Sequence, residues 1–265
     1  MTTPATYYNQ PLLKPPVWTW EVPVYFFVGG AAGAASVLGV AAQFSGADEE
    51  LVRDARWIAL IGAAVSGPLL ISDLGRPERF LNMLRVFKPQ SPMSVGVWTL
   101  AVFGGATAGA VLLPYKPLRS ISAVAAGATG LVMATYTGVL LGVTAIPLWK
   151  EHAHFLPVHF GASALGSAVS LLELRGHRNG ALRSLGFAAA TFESAADFAL
   201  EQKTPMLKIA GALSGPVPFL FRLFGKRKAA AAATLLGSLL TRIAWIEAGK
   251  ASAADPHVAL HGSGA

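Results

Sequence analysis

Cysteine is absent from the 265 residues, which excludes a disulfide framework and any iron–sulfur cluster held by this chain's own thiolates. Charge is almost as scarce. Asp, Glu, Lys and Arg together make up 13% of the chain, against roughly 25% in an ordinary soluble domain. Histidine is limited to His152, His154, His159, His177, His257 and His261, and only His159 falls inside an apolar run. A haem b needs axial imidazoles at membrane depth on facing helices, so no haem is expected. The first 20 residues hold Pro4, Pro11, Pro15 and Pro16 but no apolar core, and no cleavable signal peptide is expected. No repeat at a fixed period is visible.

Apolar sequence is what remains. Hydrophobic residues make up 53% of the chain and mean hydropathy is +0.51. The 28 glycines fit closely packed membrane helices, where small residues let backbones approach. A spanning helix needs roughly 20 mostly apolar residues. That length criterion predicts an all-α integral membrane protein of about eight transmembrane helices in an up-and-down bundle. The predicted spans are Val22–Phe44, Ala55–Ile71, Met93–Leu113, Leu118–Ile146, Phe155–Leu172, Leu182–Leu200, Leu207–Phe224 and Ala229–Ala248. Pro216 and Pro218 interrupt the seventh, which leaves a count of seven open. Residues 1–265 read as one polytopic domain, with an extramembrane segment over 1–21 and a mobile polar tail over 251–265.

The net charge of +7 and pI near 9.9 point to lipid rather than nucleic acid, because the basic residues lie between apolar runs. Eight spans place eleven Lys and Arg on the face opposite the N-terminus and nine on the N-terminal face. Four of the nine belong to the Arg76–Lys88 loop; without it the bias puts both termini outside the cytoplasm.

The same threading brings Glu21, Asp73, Tyr136, His159, Glu193, Asp197, Arg242 and Glu247 to one half of the bilayer, with Glu173 opposite. Ionisable groups at such depth are costly and usually face a bundle interior or a water pocket. Asp73, at the membrane boundary of the second span, is the first candidate for proton chemistry. Glu193 and Asp197 are one turn apart and share a helix face, with Arg242 the obvious cation. Each has a plainer reading. Asp73 can cap its helix against Arg76 or Arg79, while Arg76, Arg79, Arg85 and Lys88 can anchor on lipid headgroups. Tyr136 can be a core tyrosine, and His152, His154 and His159 packing residues. Trp18, Trp20, Tyr25, Trp57, Trp98, Trp149 and Trp245 read mostly as an interfacial aromatic belt.

Several stretches carry a family likeness: Lys14-Pro15-Pro16-Val17-Trp18-Thr19-Trp20-Glu21 running into Gly29-Gly30, Asp73-Leu74-Gly75-Arg76-Pro77, and Phe80-Leu81-Asn82-Met83-Leu84-Arg85. Ser91-Pro92-Met93-Ser94, Thr135-Tyr136-Thr137-Gly138, and Arg242 with Glu247-Ala248-Gly249-Lys250 complete it. The chain resembles the polysulfide reductase membrane-subunit family (NrfD/PsrC-like), quinone-binding anchors of multi-subunit oxidoreductases. The resemblance implies an eight-helix bundle without haem. It implies a partner iron–sulfur subunit, joined in turn to a molybdopterin, cytochrome or hydrogenase subunit.

By that resemblance, quinone or menaquinone is an exchangeable substrate, contacted by Asp73, Tyr136 and the Trp18–Glu21 region. The family pattern has histidine and asparagine at the start of the first helix, where this chain has Trp20 and Glu21. Asp73 and Tyr136 become the candidate catalytic pair, with Trp18, Glu21, Arg76 and His159 completing a quinone site. Glu193, Asp197, Arg242 and Glu247 form a candidate proton path, and Arg76, Arg79, Arg85 and Lys88 a docking surface for the iron–sulfur subunit. A secondary transporter and a purely structural anchor are the alternative readings; Pro216 and Pro218 offer the break that a transporter needs.

Overall fold

The computed structural model describes residues 13–76, 78–200 and 204–255. Among these, eleven helices follow one another: α1 (Glu21–Phe44), α2 (Glu49–Asp73), α3 (Glu78–Met83), α4 (Pro92–Leu112), α5 (Lys116–Gly142), α6 (Pro147–Glu151), α7 (Phe155–Leu174), α8 (Gly180–Ala199), α9 (Pro205–Ser214), α10 (Pro216–Leu223) and α11 (Arg227–Ala254). No strand occurs among the described residues. Seven helical stretches are long and apolar enough to cross a membrane: α1, α2, α4, α5, α7, the α9–α10 pair and α11. The remaining long helix, α8, carries Arg183, Glu193 and Asp197 and packs in the same bundle against α7, α9 and α10. About eight passages follow. The chain is therefore a multi-pass membrane protein.

Local chemistry sets the helix ends. Asp48 accepts the Glu50 amide at the start of α2, Ser91 that of Ser94 at α4, Asn179 that of Leu182 at α8, and Thr204 that of Leu207 at α9. Pro92, Pro117, Pro147 and Pro205 stand in first turns, where a missing amide hydrogen costs nothing. The predicted seventh span is broken at Gly215, between α9 and α10, where Pro216 starts the new helix. Helix α11 runs on to Ala254, into the first residues of the predicted polar tail, and the Ser252 hydroxyl accepts the Leu148 amide at 3.3 Å. Residues 256–265 of that tail, residues 1–12 of the extramembrane segment, Pro77 and Lys203 lie outside the described residues.

Helix α1 is central, packing on α2, α5, α7 and α11. Its approach to α5 is set by Gly33, where an added Cβ would run into the Gly130 carbonyl and lie 2.9 Å from the Met133 Cβ. The Ser36 hydroxyl crosses the same seam and reaches the Ala126 carbonyl at 2.9 Å. Small residues and one shared hydroxyl thus fix the α1–α5 distance, the usual means of packing helices where lipid offers no hydrophobic incentive. The two terminal ends of the described chain, Leu13 and Asp255, lie on one face, here called the terminal face. The loops after α1, α4, α7 and α10 form the other.

Candidate functional site

Asp73 ends α2 half-buried on the terminal face. Its carboxylate meets the Thr19 backbone and lies beside Glu21, at the start of α1. The Thr19 hydroxyl donates to Glu21. Tyr25 follows Glu21 by four residues, so it occupies the same face of α1 about 6 Å deeper. Buried Tyr25 lies near Tyr136 of α5, whose ring fills the space left by the missing side chain of Gly96 on α4. One turn further, Gly29 faces Met133 and Ser66. Four helices thus converge along one face of α1, from the carboxyls at the membrane boundary to the two phenols in the interior.

Arg76 and Arg79 do not join this group. Gly75 takes φ +68°, a left-handed turn that glycine adopts without steric cost. The chain reverses there, leaving both arginines exposed. Arg79 donates instead to the Leu74 carbonyl at 3.3 Å, and among the described residues no ion pair joins Asp73 to either arginine. The plainer reading of Asp73 as a cap against Arg76 or Arg79 gives way to contact with Thr19 and proximity to Glu21. Arg85 and Lys88 are exposed on the same loop beside Leu81, Val86 and Phe87.

The aromatic belt also needs correction. Trp57 and Trp20 are exposed, but Trp149 and Trp245 are fully buried. Trp18 stacks on Trp149 with centroids 5.4 Å apart, and the Trp149 indole N–H donates to the Trp245 carbonyl at 2.8 Å. Gly249 leaves room for the indole. Lys250 ties the segment before α1 to α11, donating to the Trp18 carbonyl and to Glu247, both at 2.8 Å. Trp18 is thus part of a structural clasp, and Glu247 sits at the rim rather than in the interior. Trp149→Phe removes the N–H and leaves a gap where the buried indole met Gly249, and it should cost about 2–3 kcal/mol, measured by thermal unfolding of the purified chain.

A second polar group lies deeper in the other half of the bundle. Buried His159 stacks on Phe155 at 5.1 Å, and its Nδ1 is 3.5 Å from the Glu193 carboxylate. Glu193 also faces Arg242, Asp197 and Ser214. The Arg242 guanidinium lies 4.2 Å from the Phe160 ring centre and donates to the Phe160 carbonyl at 2.9 Å. His159 Nδ1 and Arg242 Nε and Nη1 are buried without hydrogen-bond partners. Such groups are rare in native interiors and suit ordered water or a transferable proton. Asp197 packs against Gly211 of α9. His159 therefore groups with the proposed proton path, while Asp73 and Tyr136 occupy the other side of α1.

Two ion-pair sites on the opposite face went unread in the sequence: a buried Asp54 with the largely exposed Arg175 and with His177, and the buried Glu173–Arg222 pair. Asp54 receives Arg175 at 3.1 Å and His177 at 3.0 Å, tying the start of α2 to the end of α7. Asp54, through hydrogen bond and then charge, raises the Arg175 guanidinium's pKa further above its usual value. The signal was present: Asp54 shares the apolar stripe of Leu51, Ala55 and Ile58. Arg222, one of the eleven cations counted on that face, is buried and donates to Glu173 at 2.7 Å. Among the described residues, no three His, Asp or Glu side chains converge in a manner that could hold a metal ion.

The family model described as polysulphide reductase, NrfD, matches residues 9–178, more than half of the chain. The chain belongs to the NrfD family. NrfD proteins are membrane subunits of redox complexes, are generally associated with quinone, and generally pair with iron–sulfur subunits. The NrfD match takes in Asp73, Tyr136, Glu21 and the exposed Arg76–Lys88 loop. Helices α8 to α11, with Glu193, Asp197 and Arg242, lie beyond it. No curated protein matches the chain.

Proposed function

We propose that this chain exchanges electrons between a partner iron–sulfur subunit and the quinone pool, with protons passing through Asp73. The observation that carries the reading is the convergence of Asp73, Glu21, Tyr25 and Tyr136 along α1, within the part matched by the NrfD family. A carboxyl at the membrane boundary and a phenol deeper in an apolar wall suit a quinone, which presents carbonyl oxygens on a ring and a lipid-soluble tail.

Reduction of a quinone takes two electrons and two protons. A cluster in the partner subunit would supply the electrons one at a time. The Tyr136 phenol donates a hydrogen bond to one quinone oxygen and stabilises the charge that develops there. The Asp73 carboxyl passes one proton for each electron, recharged from the aqueous phase at the terminal face between the two transfers, so that both quinone oxygens end as hydroxyls; quinol oxidation runs the same steps backwards. Arg76, Arg79, Arg85 and Lys88 offer a basic, partly apolar surface to an acidic iron–sulfur subunit. On the other side of α1, Glu193, His159, Asp197 and Arg242 extend a proton path toward the bilayer interior, with Glu247 at its rim. The loop-charge bias favours termini outside the cytoplasm of a bacterial inner membrane.

Asp73→Asn keeps the shape and removes the titrating group. The intact complex should then assemble normally and lose quinone-coupled turnover by at least about tenfold, while electron transfer from the soluble subunits to an artificial acceptor persists. Unchanged quinol-dependent activity would remove Asp73 from the mechanism. A secondary transporter is the second reading, favoured by the Gly215 break beside Glu193 and Ser214. Substrate uptake into vesicles holding this chain without its partners would support it instead.

A further inference from the structure

On the face opposite the termini, the α7–α8 turn and the α10–α11 turn enclose a cleft of about 800 Å³. Arg178, Arg183, Arg222, Lys226, Arg227 and Lys228 line it, and Glu173 is the one acid in its lining. Glu173 is already engaged by Arg222. The other five cations therefore face the cleft without a carboxylate from its walls. Five like charges within one cleft repel one another unless an anion lies among them.

Arg222 strengthens the case for a built site. Its guanidinium is buried, occupies the slot left by Gly186, and uses Nη1 for Glu173. Its Nε and Nη2 are buried without hydrogen-bond partners. A guanidinium held in place with two idle donors at the base of a basic cleft is suited to phosphate oxygens. The border of the cleft distinguishes between sources of phosphate. Phe224 and Leu223, which precede Gly225 of the lining, are 76% and 57% exposed, and Leu174 beside Glu173 is 43% exposed. A soluble anion gains nothing from apolar side chains at its border, whereas acyl chains do. Basic pockets between membrane helices at a headgroup level commonly take anionic lipids.

We infer that this cleft binds the headgroup of an anionic phospholipid, its phosphate on Arg222 and the surrounding cations and its acyl chains along Leu223 and Phe224. The test uses the full chain, delipidated in neutral detergent, with bound lipid counted by native mass spectrometry. Phosphatidylglycerol should bind, phosphatidylcholine should bind at least tenfold more weakly, and inorganic pyrophosphate at matched phosphate should neither bind nor compete. The variant Arg178→Gln/Arg183→Gln/Lys226→Gln/Lys228→Gln should weaken phosphatidylglycerol binding at least tenfold. Arg53→Gln/Lys116→Gln, on the same face but outside the cleft, should leave it within twofold. Equal binding of the two lipids to the unaltered chain, competition by pyrophosphate, or undiminished binding by the cleft variant would each overturn the inference. The first two do not depend on any variant folding.

Discussion

Arg222→Met is expected to destabilise the folded chain by about 3–5 kcal/mol, the usual cost of leaving one member of a buried ion pair alone. The Arg222 guanidinium and the Glu173 carboxylate are both almost fully buried and share a 2.7 Å hydrogen bond. Methionine approximates the length of the arginine stem but leaves the glutamate charge in the bundle without its cation. A matched double variant, Glu173→Leu/Arg222→Met, should recover most of that loss, because two apolar groups fill the same space with no charge to desolvate. Thermal unfolding in detergent reads both. The single variant should lower the midpoint by roughly 10 °C, and the double should restore most of it. Contacting residues should couple in this way; a double variant as unstable as the single one would show that the pair is not what holds α7 to α10.

The spans were legible because hydropathy over about 20 residues is a strong signal, and the break at Gly215 was foreshadowed by Pro216 and Pro218. Alternate threading also brought Asp73, Glu21 and Tyr136 to one half of the bilayer. Composition failed where the lipid and the protein interior look alike. Both are apolar, so nothing in the sequence distinguishes Trp149, locked against Gly249 and Trp18, from an exposed Trp57. Partner choice failed for a different reason. Arg76 is three residues from Asp73, yet the left-handed Gly75 between them carries it to the surface, while Thr19, distant in sequence, takes its place. The apolar stripe of Leu51, Ala55 and Ile58 marks Asp54 as inward-facing, but only the packing of α7 beside it reveals Arg175 and His177 as its partners. The division of the polar groups by α1 was invisible for the same reason. Threading fixes depth, but which side of a helix a residue takes depends on how close its neighbours come.

That closeness gives the sharpest test of the proposed quinone site. Gly96→Val should lower quinone-coupled turnover by about 100-fold, the scale of loss when a reacting group is displaced by about 1 Å. An added Cβ at Gly96 would overlap the Tyr136 ring and its hydroxyl, so the phenol must move from its place on the α1 line. Gly96→Ala should show a smaller loss of the same kind. The control lies on the same helix: a Cβ at Gly104 meets nothing within 4 Å, and Gly104→Val should turn over normally. Copurification with the partner subunits checks that each variant assembles, since overpacking alone costs roughly 1–3 kcal/mol. Tyr136→Phe then separates position from chemistry, because it keeps the ring against Gly96 and removes only the donor. If Gly96→Val assembles and turns over like Gly104→Val, the phenol is core packing and the quinone oxygens find their donor elsewhere. If Gly96→Val and Tyr136→Phe fall together, the empty space at residue 96 is what aims the hydroxyl.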